Sequence, residues 1–373
     1  MTGKRIAFVL RTKGLEYDDR VRKEALALTE QGAKVFIFVN FNHNEKAEGV
    51  TSYGIPYKAI EIKSIKYLPN AKYLLIKALE FYLRLKNSLK SYDIVWAHEE
   101  YTFMFPLFAN KNKCIWDLHE IPFRFQSAHM KPIFHYIENK CKKLIHANES
   151  RINFLINNEV IKRPHKHCYL NNFADKAFFE SNLIDNQFVD FEQWLDGDQY
   201  VYLQGLTVPE RYPLNSIELI MNLPKIKAVV VGDIDGGVYS ELLKKYGDEL
   251  LEKVYFHGMA DQLCIPAYVK SALFSIILYD TRIPNNRYCE PNRLYQSLML
   301  KVPVIVGCNE PMASVVSKYG VGFVLNSDGR DYRELELAAF FVIGNIAEYK
   351  AALAKVGDAY VWNNDNLLCD WYS

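Results

Sequence analysis

The amino-acid sequence predicts an α/β protein built of two doubly wound units, and three observations support this prediction. Residues 5–10, 19–31 and 34–39 read in turn as a strand, a helix and a second strand, which is the order of a doubly wound sheet. A second series of the same kind starts at residues 200–204. The length of 373 residues is more than one ordinary hydrophobic core requires, and it favours two domains.

Each element of the first half follows from the spacing of its apolar residues. The run Ile-Ala-Phe-Val-Leu inside residues 5–10 is typical of a buried strand. In the helix over residues 19–31, Val21, Ala25 and Leu28 recur on one face, and Gly32 ends the helix. Further strands are predicted at residues 93–97, 113–118 and 143–148.

The second half repeats the alternation of strands and helical patterns. Its strands are predicted at residues 200–204, 227–232, 254–256, 274–278 and 302–306. Residues 171–198 carry several acids and little periodicity, so we interpret them as the connection between the two domains. The expected architecture is two α/β halves with a cleft between the carboxyl ends of their strands.

Composition and charge exclude several classes of protein. The formal net charge is +1, so no overall field attracts nucleic acid. The seven cysteines form no Cys-x-x-Cys pair, which argues against a disulfide framework and a zinc site and favours a reducing compartment. The first apolar run is too short for a signal peptide, and no run of about 18 apolar residues follows. We therefore expect a soluble, cytoplasmic protein.

The most informative segment is residues 290–307. The Pro-Asn-Arg sequence at 291–293 is a favourable start for a helix, and the unpaired N–H groups there can bind an anion. Leu294 and Leu298 share a helical face, and residues 302–306 are typical of a buried parallel strand. Nucleotide phosphates bind where a helix begins at the edge of an α/β sheet. The segment therefore predicts a diphosphate-binding site.

The same segment resembles the signature of a known enzyme family. Residues 290–296 and 301–307 are similar to the "PNK-(hydrophobic)2-E … GxPVI" pattern of retaining glycosyltransferases with the two-domain GT-B fold. The likeness is to the large bacterial, family 4-like group that extends surface polysaccharides. Further pieces follow in the family's order: Trp116-Asp117-Leu118-His119-Glu120, Leu203-Gln204-Gly205-Leu206 with Arg211, Phe256-His257-Gly258 and Val361-Trp362-Asn363-Asn364.

This resemblance implies a domain organisation and an activity. It implies an N-terminal Rossmann-like acceptor domain over residues 1–175, a C-terminal Rossmann-like nucleotide-sugar domain over residues 176–355, and a last helix over residues 356–373 that returns to the first domain. The implied enzyme is a retaining hexosyltransferase acting on a hydroxyl of a lipid-linked bacterial surface glycan, such as lipopolysaccharide or capsule. UDP is the expected donor nucleotide, with GDP as the alternative. No suitably placed D-x-D pair occurs, so no metal and no other cofactor is expected.

The donor site is assigned to the second domain. Arg211 follows the strand that ends near Gly205, and a guanidinium there can bind a diphosphate in a bidentate way; the alternative is a solvated loop arginine. The lysine that many relatives carry shortly after this arginine is missing, so Arg293 is expected to supply the second positive charge. The predicted donor-binding residues are Gly205, Arg211, Gly258, Asn286, Glu290, Pro291, Asn292, Arg293 and Gln296.

Gln296 is the main departure from the family pattern. Relatives carry a glutamate here that accepts hydrogen bonds from the ribose hydroxyls, whereas Gln offers one carbonyl acceptor without a charge. The first glutamate of the motif would fall at Tyr288. Glu290 lies nearby and either contacts a donor hydroxyl or serves as an acid favoured by the helix dipole. These changes leave the donor's identity open.

The predicted catalytic residues lie in the first domain and are His119, Asp19 and Glu120. The resemblance places a histidine at His119 against the donor sugar or its phosphate; the alternative is a structural histidine. Asp117 and Glu120 flank it and are expected to orient its ring or engage the acceptor. The group at residues 98–100, His-Glu-Glu, is expected to shape the acceptor side. Asp19 lies where a doubly wound domain binds ligands, although helix capping by an aspartate also explains it.

Residues 63–90 are basic and rich in aromatic and aliphatic side chains. A helix of this composition can lie on anionic lipid headgroups, which would suit a lipid-linked acceptor and a position on the inner face of the cell membrane. A helix packed on the domain with a solvated basic face is the alternative.

Two other functions remain open at the level of sequence. A non-catalytic GT-B module, acting as a scaffold or regulator in a polysaccharide assembly complex, would explain Gln296 and the missing upstream glutamate. A sugar-nucleotide epimerase or hydrolase could use the same two-domain layout. Gly14 stands without a G-x-G-x-x-G pattern, which weighs against a dehydrogenase.

Overall fold

The computed structural model describes residues 2–12, 14–41, 46–67, 73–206 and 208–363. The chain divides into two compact units, with the boundary between Asn171 and Asn172, and the second unit extends to Trp362. Both units are α/β, so the predicted class of fold is confirmed.

The first unit is built on an eight-stranded sheet in the order β3-β4-β2-β1-β5-β6-β7-β8. All neighbouring strands are parallel except β3 and β4. Ile6 of the central strand pairs with Val35 on one side and Ile94 on the other. The strands are β1 Arg5–Thr12, β2 Lys34–Phe41, β3 Glu48–Val50, β4 Pro56–Ala59, β5 Ile94–His98, β6 Cys114–Leu118, β7 Lys143–His146 and β8 His167–Tyr169.

Helices connect these strands and cover the sheet. They are α1 Asp19–Glu30, α2 Ser64–Tyr67, α3 Leu74–Leu85, α4 Met104–Phe108, α5 Lys131–Lys140 and α6 Glu149–Asn157. Helix α1 begins at the predicted place because Asp18 accepts a hydrogen bond from the Val21 N–H, the usual capping arrangement. Trp96 and Trp116 are fully buried, and edge-to-face contact of Trp116 with Phe125 fixes the packing at the end of β6.

The second unit is built on a six-stranded sheet in the order β11-β10-β9-β12-β13-β14. Its strands are β9 Gln199–Gln204, β10 Ile226–Val231, β11 Val254–Gly258, β12 Ser275–Ile277, β13 Val304–Val306 and β14 Gly322–Val324. All the pairings are parallel. The strands read as continuous apolar runs because helices cover both faces of the sheet.

Eleven helices of the second unit lie within the described residues. They are α7 Lys176–Glu180, α8 Asn186–Leu195, α9 Pro213–Asn222, α10 Gly236–Tyr246, α11 Glu249–Lys253, α12 Ile265–Val269, α13 Pro284–Arg287, α14 Asn292–Met299, α15 Glu310–Tyr319, α16 Tyr332–Gly344 and α17 Ile346–Ala354. Gly320 takes the left-handed conformation that ends α15, with a φ of 61°.

The interpretation of residues 171–198 as a connection was wrong. The segment contains α7 and α8, capped by the side chains of Asp175 and Asp185. Phe178 and Phe191 are buried in a core cluster of the second unit, and each contributes about 1.5–3 kcal/mol by that burial. A few aromatic side chains at irregular spacing therefore anchor a segment in which no helical periodicity was visible.

The predicted helix over residues 356–373 falls largely outside the described part of the chain, which stops at residue 363. Helix α17 ends at Ala354, and residues 356–363 form turns instead of a helix. Gly357 has a φ of 60°, a left-handed conformation that does not continue a helix. Trp362 is buried, and its N–H donates to the Ala174 carbonyl within the second unit.

Within the described residues, no single helix has the length and apolar composition needed to cross a membrane. One pair passes such a test together, α16 with α17, but the two helices are bent by 73° where they meet.

Candidate active site

A polar cluster occupies the switch point of the first sheet. Strand β1 lies between β2 and β5, so the chain leaves β1 toward one side of the sheet and later returns on the other. Loops diverge at such a point and leave room for polar groups and ligands. The cluster consists of Arg20 and Glu24 from α1, His98 and Glu99 from the end of β5, and Asp117 and His119 from the end of β6.

Arg20 and Asp117 form the centre of this cluster. The Arg20 guanidinium donates through Nε and Nη2 to the two Asp117 oxygens, at 2.8 and 2.7 Å. Its Nη1 donates to the Leu170 carbonyl at 2.8 Å. Glu24 Oε1 lies 3.1 Å from Arg20 Nε, and burial together with repulsion from Asp117 raises the pKa of Glu24 well above its usual value. Burial and Asp117 therefore favour the neutral form of the Glu24 carboxyl.

His119 is held between two carboxylates. Its Nδ1 lies 2.9 Å from Glu99 Oε1 and its Nε2 lies 2.9 Å from Asp117 Oδ2. Burial disfavours the imidazolium, but Glu99 and Asp117 outweigh that effect and raise the pKa of His119 well above its ordinary value. Both ring nitrogens therefore donate. The side chain is 19% exposed, so a fixed positive charge stands at the surface of the cluster.

The backbone of Glu99 adopts an unusual conformation that brings its side chain to His119. Its φ is +67°, in the region that residues other than glycine seldom occupy, at a cost of about 1–3 kcal/mol. The Glu99 N–H donates to the Asp117 carbonyl at 2.8 Å. The Glu99 carbonyl accepts from the Trp116 indole at 3.0 Å and from the Thr102 hydroxyl at 2.9 Å. These bonds hold the strained residue in place.

The structure shows the surroundings of three further groups predicted in the first unit, and their functional roles stay predictions. Asp19 forms ion pairs with Arg22 and Lys23 of its own helix, each at 2.7 Å, so its carboxylate is engaged; the helix cap is Asp18. Glu120 is exposed, and the second carboxylate on His119 is Glu99 instead. Within the group at residues 98–100, His98 and Glu99 belong to the His119 cluster, since His98 Nδ1 lies 3.2 Å from His119 Nε2. Glu100 instead pairs with Arg124 at 3.2 Å, and a role of the group on the acceptor side stays a prediction.

Three atoms of the cluster could bind a metal ion. His98 Nδ1, Asp117 Oδ2 and His119 Nε2 lie 2.9–3.4 Å from one another. Both Asp117 oxygens also accept from Arg20, so a metal ion would stand beside a guanidinium. A proton on His119 satisfies the same atoms without that repulsion, and the absence of a metal requirement stays a prediction.

The second unit has its own switch point between β9 and β12, and Arg211 lies there. The chain turns at Gly205, whose φ is +62°, and Arg211 Nη1 donates to the Gly205 carbonyl at 2.6 Å. A Cβ on Gly205 would lie 2.8 Å from that same nitrogen. The backbone conformation therefore favours glycine, and a side chain there would displace the Arg211 guanidinium.

Arg293 reaches the same place from the first turn of α14. Its guanidinium carbon lies 4.8 Å from the centre of the Tyr279 ring, and that of Arg211 lies 5.3 Å from it. Arg293 donates through Nη1 to the Gln204 carbonyl, but its Nε and Nη2 are buried without an acceptor among the described residues. Burial and the nearby Arg211 lower the pKa of Arg293. An anion would satisfy both the charge and the free N–H groups.

Gln296 and Glu290 differ in whether their side-chain oxygens already accept hydrogen bonds within the protein. Gln296 is buried, and its Oε1 has no hydrogen-bond donor among the described residues. Glu290 accepts from the Tyr295 hydroxyl at 2.9 Å, and it stands before Pro291, the N-cap of α14, so it is outside the first turn of the helix. Gln296 is thus the better placed of the two to accept from a ligand hydroxyl.

The other predicted donor-binding residues are partly exposed and lie at the carboxyl ends of strands or at helix starts. Pro291 and Asn292 open α14, and Asn286 lies in α13, where its carbonyl accepts from Asn309. Gly258 ends β11 with a φ of +76°, and its carbonyl accepts from the Gly232 N–H at 2.6 Å. Their roles toward a donor stay predictions.

Comparisons with solved structures agree with this architecture. Sucrose-phosphate synthase from Thermosynechococcus elongatus superposes with a TM-score of 0.75 at 13% identity, covering 96% of this chain and 95% of that one. The fold is therefore GT-B. Anabaena HepE in complex with UDP-glucose gives 0.69 at 14% identity, with 96% and 95% covered. WaaG, a glycosyltransferase involved in lipopolysaccharide biosynthesis, gives 0.66 at 14% identity, with 99% and 96% covered. No protein-family profile and no curated sequence matches this GT-B chain.

Sequence reasoning missed several residues of the two clusters. Arg20 was not singled out, and Glu99 was visible only as a member of the group at residues 98–100. Tyr279 was not singled out either, nor was the side-chain oxygen of Gln204, which has no donor among the described residues. A signal existed for Arg20, because an arginine in the first turn of the first helix lies beside the switch point. The pairing of Glu99 with His119 has no local signal.

Proposed function

We propose that this protein is a retaining, metal-independent hexosyltransferase. It takes a sugar from a UDP-sugar and transfers it to a hydroxyl of a growing, lipid-linked bacterial surface glycan. The observation that carries this proposal is the pair of arginines on Tyr279, where buried N–H groups of Arg293 have no acceptor in the described part of the chain. A diphosphate would supply oxygens to both guanidiniums and to the amides at the start of α14.

The proposed chemistry is electrostatic. Breaking the bond between the sugar and the diphosphate leaves negative charge on the departing oxygen. Arg211 and Arg293 are already fixed by bonds to the carbonyls of Gly205 and Gln204, so they stabilise that charge without rearranging. Retention of the anomeric configuration rests on the family resemblance.

His119 acts in this proposal as a fixed positive charge facing the donor sugar or its phosphate. Its two N–H groups donate to Glu99 and Asp117, so the ring is oriented and stays protonated. It is therefore unsuited to shuttling a proton. We expect His119→Ala to leave UDP affinity unchanged and to lower turnover, because it removes a charge used in the transition state and no part of the nucleotide site.

Two of the structural neighbours support the choice of donor and pathway. HepE was solved with UDP-glucose, and WaaG is named for lipopolysaccharide biosynthesis. By analogy, we assign a UDP-sugar as the donor and a surface glycan as the acceptor of this chain. We further propose that the protein is cytoplasmic and contacts the inner face of the cell membrane through residues 63–90, of which 68–72 lie outside the described residues.

The test is a panel of UDP- and GDP-sugars, followed by turnover with a lipid-linked glycan acceptor and with the donor alone. The expected result is preferential binding of a UDP-sugar, product formation that EDTA does not reduce, and a product of the same anomeric configuration as the donor. GDP preference, inversion, or a loss of activity that added Mg²⁺ or Mn²⁺ restores would each overturn the corresponding part of the proposal. Nucleotide release without a glycan product would indicate the epimerase or hydrolase.

One alternative is favoured by a specific observation. Gln296 offers no charged acceptor to the ribose, and the position of the usual first glutamate carries Tyr288. A non-catalytic GT-B module, a scaffold or regulator in a polysaccharide assembly complex, would tolerate both changes. Saturable UDP-sugar binding with no turnover on an authentic acceptor would favour this scaffold.

A further inference from the structure

Helix α3 is apolar on two opposite faces. Ala78, Phe81 and Leu85 are buried against the first unit. On the other side, four aliphatic side chains are 38–49% exposed and fall within about 100° of the helical wheel at 100° per residue; they are Leu75, Ile76, Leu79 and Leu83, named here the outer stripe. A helix on a domain surface usually presents a polar outer face, so the outer stripe indicates a contact with something apolar.

The outer stripe leads to a cavity at the end of the helix. Tyr82 and Lys86 line this cavity of about 250 Å³, together with Lys90, Phe108 and Lys113. Tyr82 stacks on Phe108 with ring centres 5.0 Å apart, and Phe108 is itself half exposed. The cavity opens at the amino ends of β5 and β6, whereas the His119 cluster lies at their carboxyl ends. It is therefore separate from the candidate active site.

The lysines of the cavity are available to an anion. Within the residues that the structure describes, neither Lys86, Lys90 nor Lys113 forms an ion pair, and the cavity wall contains no carboxylate. The volume lies below the roughly 300–1,000 Å³ typical of pockets for drug-sized ligands. It suits a phosphate ester with a short polar group and is too small for a nucleotide sugar.

We propose that this cavity binds the headgroup of an anionic phospholipid while the outer stripe lies in the membrane interface. The three lysines, which form no ion pair with a described residue, complement the phosphate charge. The exposed aliphatic and aromatic side chains beside them suit the acyl boundary. The inference rests on the proposed membrane contact of residues 63–90 and adds to it a defined headgroup site. The headgroup site would make the membrane contact prefer anionic phospholipids.

The main test measures binding of the full chain to vesicles of phosphatidylcholine alone and of phosphatidylcholine with phosphatidylglycerol in equal parts. The test variant carries Lys86→Gln, Lys90→Gln and Lys113→Gln. The control carries Lys225→Gln, Lys244→Gln and Lys350→Gln, which removes the same charge from exposed positions of the second unit. Each basic side chain near an anionic surface contributes about fivefold in binding, so we expect the test variant to lose on the order of a hundredfold on anionic vesicles and the control to lose little.

Three outcomes would overturn the headgroup site. Equal losses in the test variant and the control would indicate diffuse attraction only. Inorganic phosphate competing as well as soluble dihexanoyl phosphatidylglycerol would indicate a free-phosphate site. A dimer that Leu79→Glu dissociates, without vesicle binding by the wild type, would indicate an interface between two copies. Turnover of a UDP-sugar, measured in parallel on a soluble acceptor, reports the proposed transferase independently, so a failure of lipid binding and a failure of that function are distinguishable.

Discussion

The polar clusters at the two switch points differ in where their charges find partners. In the first unit, Arg20 and His119 are balanced by Asp117 and Glu99 inside the cluster. In the second unit, Arg211 and Arg293 both lie over Tyr279, and no described carboxylate pairs with either guanidinium. The same position in two similar sheets thus holds a neutralised network in one unit and an excess of positive charge in the other.

Buried charges can serve two purposes, depending on whether they are neutralised inside the protein. A network whose charges are matched internally keeps its geometry without a ligand and contributes to the specificity of the fold. An unmatched pair of cations lowers stability until an anion binds, and that instability becomes binding free energy for the ligand. The first cluster is therefore expected to keep its geometry without a ligand, and the second is expected to gain stability when an anion binds.

The largest expected effect comes from breaking the matched network. Arg20→Met leaves Asp117 buried without its bidentate partner and should lower the free energy of unfolding of the first unit by about 3–5 kcal/mol. Arg22→Met removes a partly exposed arginine of the same helix, which pairs with Asp19, and should cost under about 1 kcal/mol. Urea unfolding followed by hydrogen exchange in β6 and α1 measures both. Similar losses in the two variants would contradict the proposed centre of the cluster.

Removing the unmatched charges should affect ligand binding more than stability. Arg293→Met should change the stability of the ligand-free second unit by no more than about 1 kcal/mol, because an apolar side chain replaces a poorly satisfied cation. Arg211→Ala should weaken UDP binding by about 1.5–3 kcal/mol, roughly 10- to 150-fold. Titration calorimetry with UDP measures the affinity, and exposed Arg333→Ala is the control. Unchanged affinity in Arg211→Ala would remove the diphosphate assignment.

The pH response of the first unit should follow two of its buried histidines. Burial and the neighbouring His167 lower the pKa of His146 well below its ordinary value, so the folded state keeps this ring neutral. Below about pH 6.5 the unfolded chain binds a proton there that the folded state does not, and stability falls by about 1.4 kcal/mol per pH unit until the folded pKa is reached. His146→Gln should remove that slope from acid titrations of the first unit. The raised pKa of His119 acts in the other direction, since its contribution is complete below pH 6.5 and is lost as the pH rises through the folded pKa.

The smallest expected effect concerns the ribose contact. Gln296→Glu should strengthen UDP binding by about 1 kcal/mol, roughly fivefold, because a charged acceptor makes the stronger hydrogen bond. Gln296→Leu should weaken UDP binding and reduce the difference between UDP and 2′-deoxy-UDP. Competition binding with the two nucleotides is sufficient to measure both. If Gln296→Leu binds UDP as well as the wild type does, this residue does not contact the ribose.

Much of the second cluster could be predicted from the sequence because its parts are local. The end of β9 at Gln204, the turn at Gly205 and the start of α14 each follow from short-range patterns. What could not be predicted is that Arg211 and Arg293 share the Tyr279 ring. Residues more than 60 positions apart, as 211 and 279 are, meet only after the order of strands in the sheet has been set.

The contacts of the first cluster were harder to predict, because they depend on how the strands pair. His98 pairs with Asp117 across β5 and β6, and that register brings Glu99 rather than Glu120 to the His119 ring. Likewise, Arg20 and Asp117 are 97 residues apart in the chain, and no spacing rule connects them. The interpretation of residues 171–198 was wrong for a related reason. The two helices of this segment are held by tertiary burial of Phe178 and Phe191 more than by their own periodicity.

Taken alone, the amino-acid sequence determined the alternation of strands and helices, the two-fold repetition of that pattern, and the helix that begins after Pro291. These features arise from backbone propensities and from apolar residues a few positions apart. The tertiary structure decided which charges are neutralised inside the protein and which remain for a ligand, because strand order and register choose the partners of every buried polar group.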